Sequence, residues 1–146
     1  MYNKILLAYD GTVEGRRALL TSDDLAEFAK AELHLLAVAS MPSTMFLTEG
    51  FVPDELIDTE KKRMQAVLDE GIARVKERRG MQIVTGHLAV GEPVEEIGRL
   101  AKSLGCDLIV VGHHQHTSIA KRWWAGSVSK ALVDYAPCSV LIVVDR

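Results

Sequence analysis

Apolar residues follow two alternating rhythms along the 146-residue chain. Residues 4–9 (KILLAY), 33–39 (LHLLAVA), 107–111 (DLIVV) and 138–144 (CSVLIVV) are short, nearly continuous apolar runs. Runs of this length predict strands, and the first, KILLAY, suits a strand buried on both faces. Residues 82–89 (QIVTGHLA) form a weaker run and a weaker strand. Between them the apolar positions recur at helical spacing. Residues 13–30 set Ala18, Leu25, Ala26, Phe28 and Ala29 on or near one face. Residues 53–79 open on Pro53, a good first helical residue, and repeat Leu56, Met64, Val67, Leu68, Ile72 and Val75. Gly80 suits the left-handed position that ends such a helix. A shorter helix follows Gly91-Glu92-Pro93, with Val94, Ile97, Leu100, Ala101 and Leu104 inward and Gly105 closing it. The last helix covers residues 127–135 and stops before Pro137.

The predicted order is therefore β-α-β-α-β-α-β-α-β, without an internal repeat or linker. Strict alternation implies a parallel sheet with helices on both faces, joined by right-handed crossovers. Ligands of such open sheets bind beyond the carboxyl ends of the strands, where the winding reverses. Four segments follow strands directly: residues 10–12, 40–52, 90–93 and 112–125.

Composition narrows the classes. The length fits one domain, residues 1–146, and 48% apolar residues suffice for a sizeable core. A formal net charge of −3 gives no footprint for nucleic acid or an anionic membrane. Cys106 and Cys138 are too few for a disulfide framework and read as buried thiols. The start, MYNKILLAYDG, lacks the apolar core and cleavage site of a signal peptide. A cytoplasmic protein is the expectation.

The richest strand-end segment is residues 112–129, GHHQHTSIAKRWWAGSVS. Gly112 admits either an unusual backbone conformation or a close approach by a ligand. Gly126-Ser127 opens the predicted helix, whose first N–H groups and dipole attract anions. Ser129 falls in its first turn, and Lys121 and Arg122 carry positive charge nearby. The segment reads as a phosphate site or as a solvated loop ending in a Ser127 cap. Asp10 ends the first strand; its carboxylate suits an adenine amino group or ribose hydroxyls, or else caps the next helix, which Thr12 can also do. His114 and His116 would share a face of an extended segment, but no Cys or carboxylate lies near them, so no metal site is expected. Trp123-Trp124 fits packing or an interface better than base stacking. No G-x-S-x-G elbow, Walker loop or H-E-x-x-H motif is present, and no nucleophile–base pair stands out.

Four blocks together are specific: KILLAYDGT, LHLLAVA, GEPVEEIGRLAKSLGCDLIVVGHH and GSVSKALVDYAPCSVLIVV. Over nearly its whole length the chain resembles the small, single-domain universal stress proteins. That resemblance implies an α/β fold with a five-stranded parallel sheet, order 3-2-1-4-5, and helices on both faces. It implies a homodimer formed by antiparallel pairing of the last strands, here Ser139 to Val144. Many members bind ATP through the pattern G-x2-G-x9-G-[ST], with Mg2+ or Mn2+ on the phosphates. Carried over, the nucleotide positions are Ala8, Asp10, Gly11, Thr12 and Val38 on the base and ribose side. On the phosphate side they are Gly112, His113, Gln115, Gly126, Ser127, Val128 and Ser129. Two departures stand out. Gln115 replaces the second glycine, and ten residues, 116–125, separate it from Gly126 where the pattern has nine. The run GHHQ is similar to a branch not known for binding ATP. Two functions follow from the resemblance. One is an adenine-nucleotide-binding regulator of the stress response without strong catalysis, any ATP hydrolysis being incidental. The other is a dimeric interaction protein that binds no nucleotide and presents Trp123-Trp124 and the apolar segment from Met41 to Val52 to a partner.

Overall fold

The structure is a computed structural model that describes residues 1–41, 53–79, 84–114 and 123–145. Strand β1 (Lys4–Ala8) holds the centre of the sheet because nothing from Ile5 to Ala8 is polar. Both of its faces can be buried, and Ile5, Leu6 and Leu7 are each 0% exposed. Around it the chain builds α1 (Val13–Ala29), β2 (Glu32–Ser40), α2 (Asp54–Arg79), β3 (Val84–Gly91) and α3 (Pro93–Leu104). Then come β4 (Leu108–His114), α4 (Trp123–Tyr135) and β5 (Ser139–Asp145). The sheet order is β3-β2-β1-β4-β5, all pairs parallel, as expected.

Strand alternation sorts the apolar side chains into two cores. Ile5, Leu7, Tyr9, Leu33, Leu35 and Val110 pack under α1 and α2. Leu6, Ala8, Leu36, Val38, Ile109 and Val111 pack under α3 and α4. The central strands thus need apolar residues at almost every position, which is why they read as nearly continuous runs. Cys106 is buried in the second core and Cys138 only half-buried beside it; both are free thiols, and burial pushes Cys106 up to about 11.

Helix ends follow local chemistry. Thr12 caps α1 by accepting from the Gly15 N–H at 3.1 Å. Glu92 caps α3 by accepting from the Glu95 N–H at 3.0 Å, and Pro93 follows as the first helical residue. Gly105 ends α3 at φ +72°. Two apolar residues expected inside lie outside: Phe28 is 79% and Leu56 45% exposed. The buried stripe of α1 runs Ala18, Ser22, Ala26, and Phe28 lies about 200° round the helix from Ala26. The last helix begins at Trp123, four residues before the expected Ser127. Gly126 and Ser127 therefore lie within α4, and Ser127 is not its cap.

Candidate functional site

Strand lengths create a crevice at the carboxyl end of the sheet. β1 ends at the registers Ala8↔Leu36 and Ala8↔Val111. β2 continues to Ser40 and β4 to His114, so both overhang β1 on either side. The winding reverses here, since β1 leads outward to β2 and β3 on one side and to β4 and β5 on the other. Tyr9 adds one more backbone bond, its N–H donating to Leu36 O at 2.9 Å. Backbone groups two residues apart on a strand point the same way. The N–H and C=O of Val38 therefore face the side that β1 has vacated, one donor and one acceptor side by side. The Val38 side chain itself is buried in the α3–α4 core at 2% exposure.

Asp10 stands on the crevice floor, held in one orientation. Its Oδ1 accepts from the Thr12 N–H at 3.0 Å and from the Thr12 hydroxyl at 2.5 Å. A carboxylate has about four acceptor sites, so capacity remains for hydroxyl or amino donors. Burial pushes its pKa above the ordinary 3.8, opposed by the Thr12 bonds and assisted by the Glu14 charge. Thr12 thus resolves both roles: it caps α1 and also steers Asp10.

Glycines make this arrangement possible. Gly11 takes φ +79°, a conformation costly to any other residue, and its α-carbon faces Val67 of α2. Gly15, inside α1, has Asp10 Oδ1 only 2.6 Å from where a Cβ would sit. Gly71 leaves room for the Tyr9 ring, which would meet a Cβ at 2.8 Å. The Tyr9 hydroxyl donates to Glu70 Oε2 at 2.6 Å. Burial and the Glu70 carboxylate push the phenol up to about 12. Glu70 in turn faces Arg16 at 3.7 Å and bonds Arg74. α2 and α1 thereby hold the end of β1 together from the same face of the sheet.

Gly112 also has a packing reason that the sequence did not show. Its φ is not left-handed, and a Cβ there would lie 2.4 Å from Glu14 O and 2.6 Å from Glu14 C. The glycine lets β4 pass directly under the first turn of α1. It is a backbone-to-backbone contact within the protein.

On the other face, His113 Nδ1 and Ser129 Oγ lie 3.1 Å apart and tie the end of β4 to α4. Val128 is 1% exposed and packs in the second core. The structure therefore brings Ala8, Asp10, Gly11, Thr12, Val38 and Gly112 round the crevice, and joins His113 to Ser129 beside it. Gln115, His116, Lys121, Arg122, Gly80 and residues 42–52 lie outside the described residues, as do the side chains of Trp123, Trp124 and Ser127. Gly15, Gly71 and Tyr9 escaped the sequence reading. The available signal was a glycine inside each predicted helix, where it costs about 1 kcal/mol against alanine and so asks for a packing reason.

Comparison with known proteins agrees with this architecture. The Universal stress protein family matches residues 1–144. The universal stress protein YxiE of Bacillus subtilis is 34% identical over 151 aligned positions, covering 98% of this chain and 99% of its own. A crystal structure of a family protein from Burkholderia pseudomallei superimposes with TM-score 0.75 at 31% identity, covering 97% of this chain and 96% of that one. A universal stress protein in complex with cAMP has the same fold, with TM-score 0.70 at 23% identity over 98% and 97% of the two chains. The chain belongs to the universal stress protein family.

Proposed function

We propose that the crevice above β1 binds an adenine nucleotide and that the protein acts as a nucleotide-responsive regulator in the stress response. The observation that carries this reading is the pairing of an oriented, half-buried Asp10 carboxylate with the open backbone edge of Val38. Adenine needs one donor and one acceptor in a flat edge, which a strand residue supplies from its own N–H and C=O. The ribose hydroxyls need an acceptor already fixed in place, which Thr12 makes of Asp10. Fixing it beforehand lowers the ordering cost of binding. The cAMP-bound relative shares this fold and supports the choice of ligand class. ATP is the candidate with phosphates running toward Gly112, Gln115 and Gly126-Ser127, accompanied by Mg2+ or Mn2+. In this reading any ATP turnover is incidental to binding. The edge strand β5, from Ser139 to Val144, pairs with a second copy in this reading, covering a half-buried apolar edge that otherwise invites aggregation. No helix among the described residues is long and apolar enough to cross a membrane, and a cytoplasmic site of action fits.

One observation favours a second reading. α4 starts at Trp123, so the N–H of Ser127 lies beyond the four free N–H groups of the helix start. Together with Gln115 and the longer loop, this argues for an interaction protein with no triphosphate site. Calorimetry on nucleotide-stripped protein with adenosine, AMP and ATP–Mg2+ separates the two. Heat with all three and tightest binding of ATP supports the first reading. No heat with any of them at millimolar concentration supports the second.

A further inference from the structure

Away from the crevice, two histidines meet across the other edge of the sheet. His34 on β2 stands opposite Thr85 of β3, and His87 stands opposite Leu36. Both share the α3 face with Leu36, so they are diagonal neighbours on one side of the β2–β3 pair. His34 Nδ1 and His87 Nε2 are 3.0 Å apart, and the rings stack with centroids at 5.3 Å and an interplanar angle of 28°. His34 is 8% exposed and His87 half-buried. The other nitrogen of His34 faces Glu32 Oε2 at 3.2 Å. Glu32 also faces Lys4 of β1 at 3.9 Å. From α3, Glu96 and Arg99 line a cavity of about 250 Å3 beside His87, and they are bonded to each other at 2.5 Å. α3 therefore offers the rings a neutralised pair.

A hydrogen bond between two ring nitrogens needs one N–H and one lone pair. Two neutral rings satisfy this, and so does one imidazolium donating to one neutral ring. Two imidazoliums cannot, because an N–H would face an N–H at bonding distance and like charges would adjoin. The pair therefore holds at most one proton beyond its two neutral rings, and a second one breaks the contact. We infer that His34 and His87 form a one-proton latch, fastening the edge strand β3 to β2 and releasing it when a second proton binds.

The direction with pH follows from His87. Burial, and then His34, hold its pKa below the ordinary 6.5. A group depressed on folding contributes stability that is full above the unfolded value and is lost as pH falls through the folded value. The latch thus opens as the pH falls below about 6.5. β3 has one strand neighbour, so its loosening need not unfold the sheet.

The test is an NMR titration of the whole chain, following both imidazoles and the exchange of backbone amides corrected for intrinsic rates. The expected result is two macroscopic steps, the second below 6.5. Across that second step the amides of β3 should lose protection about fivefold more than those of β1, the size of one net hydrogen bond. In His87→Gln an amide donor replaces the titrating ring, and the extra loss in β3 should vanish. Independent single-site titrations near 6.5, or equal losses in β3 and β1, overturn the latch. The wild-type titration decides alone if His87→Gln does not fold.

Discussion

Replacing Gly112 by alanine separates packing from ligand binding as the reason for that glycine. At an unstrained position Gly→Ala stabilises by about 0.4–1 kcal/mol, because the unfolded chain loses freedom. Gly112 is not left-handed, so backbone strain does not oppose the change. The obstacle is the first turn of α1, with Glu14 O at 2.4 Å, Glu14 C at 2.6 Å and Gly15 N at 3.0 Å from the new methyl. Favourable contacts between heavy atoms lie at about 3.5–4.0 Å. The methyl must therefore gain roughly 1 Å, and every atom in its way is backbone. Neither β4, bonded to β1 and β5, nor α1 can yield locally. Overpacking typically costs ~1–3 kcal/mol, and a rigid obstacle puts this case near about 3 kcal/mol. For a chain of this size each kcal/mol shifts Tm by about 2–4 °C, so apo Gly112→Ala should melt roughly 6–12 °C low. Urea unfolding should show a lower midpoint at an unchanged slope. An apo Tm within about 2 °C of wild type, together with lost nucleotide binding, would refute the reasoning: Gly112 would then serve a ligand after all.

Other substitutions test neighbouring contacts. Asp10→Asn should weaken adenosine binding about tenfold by calorimetry, the scale of one charge-assisted hydrogen bond. The same variant should hold its apo Tm or gain slightly at pH well above the ordinary carboxyl range, because burial raises the Asp10 pKa. A carboxyl raised on folding opposes folding increasingly as pH climbs from the unfolded value through the folded one, and an amide removes that opposition. Arg78→Met should cost about 3 kcal/mol in urea unfolding, since Arg78 lies 2.7 Å from Asp23, which is 0% exposed at the α1–α2 contact. Ser129→Ala should cost about 1 kcal/mol by removing the link to His113, with no change in the β5 edge.

Much of the fold was legible because its cause is local. A strand buried on both faces needs an almost unbroken apolar run, and KILLAY and LHLLAVA meet that need apart from Lys4 and His34, whereas CSVLIVV is as apolar yet forms the half-buried edge strand β5. Helix ends were legible at Thr12, Pro93 and Gly105, where one residue satisfies one local geometry. The first end of α4 was not. Gly126-Ser127 looks like a start, yet helical backbone extends back through Ala125 to Trp123, residues with adequate helix propensity of their own. Phe28 shows the limit of periodicity, because a large apolar residue near the end of a helix can miss the buried stripe. At the site, Asp10 was legible from its place at the end of the first strand and Val38 through the resemblance, and their roles rest on the strand overhang, which no single segment encodes. The reason for Gly112 was hidden for the same cause: Glu14 lies 98 positions away in sequence. Nor does sequence spacing link His34 to His87, which only the β2–β3 register brings together.

The central claim is that the crevice between the ends of β2 and β4 holds an adenine nucleotide through Asp10 and Val38. The direct measurement is calorimetric titration of nucleotide-stripped wild type and Asp10→Asn with AMP and with ATP–Mg2+, using GTP–Mg2+ as the control for the base. Saturable heat is expected with both adenine nucleotides, none with the guanine nucleotide, and about tenfold weaker binding in Asp10→Asn. Absence of heat from wild type at millimolar adenine nucleotide, or equal affinity in the variant, would contradict it.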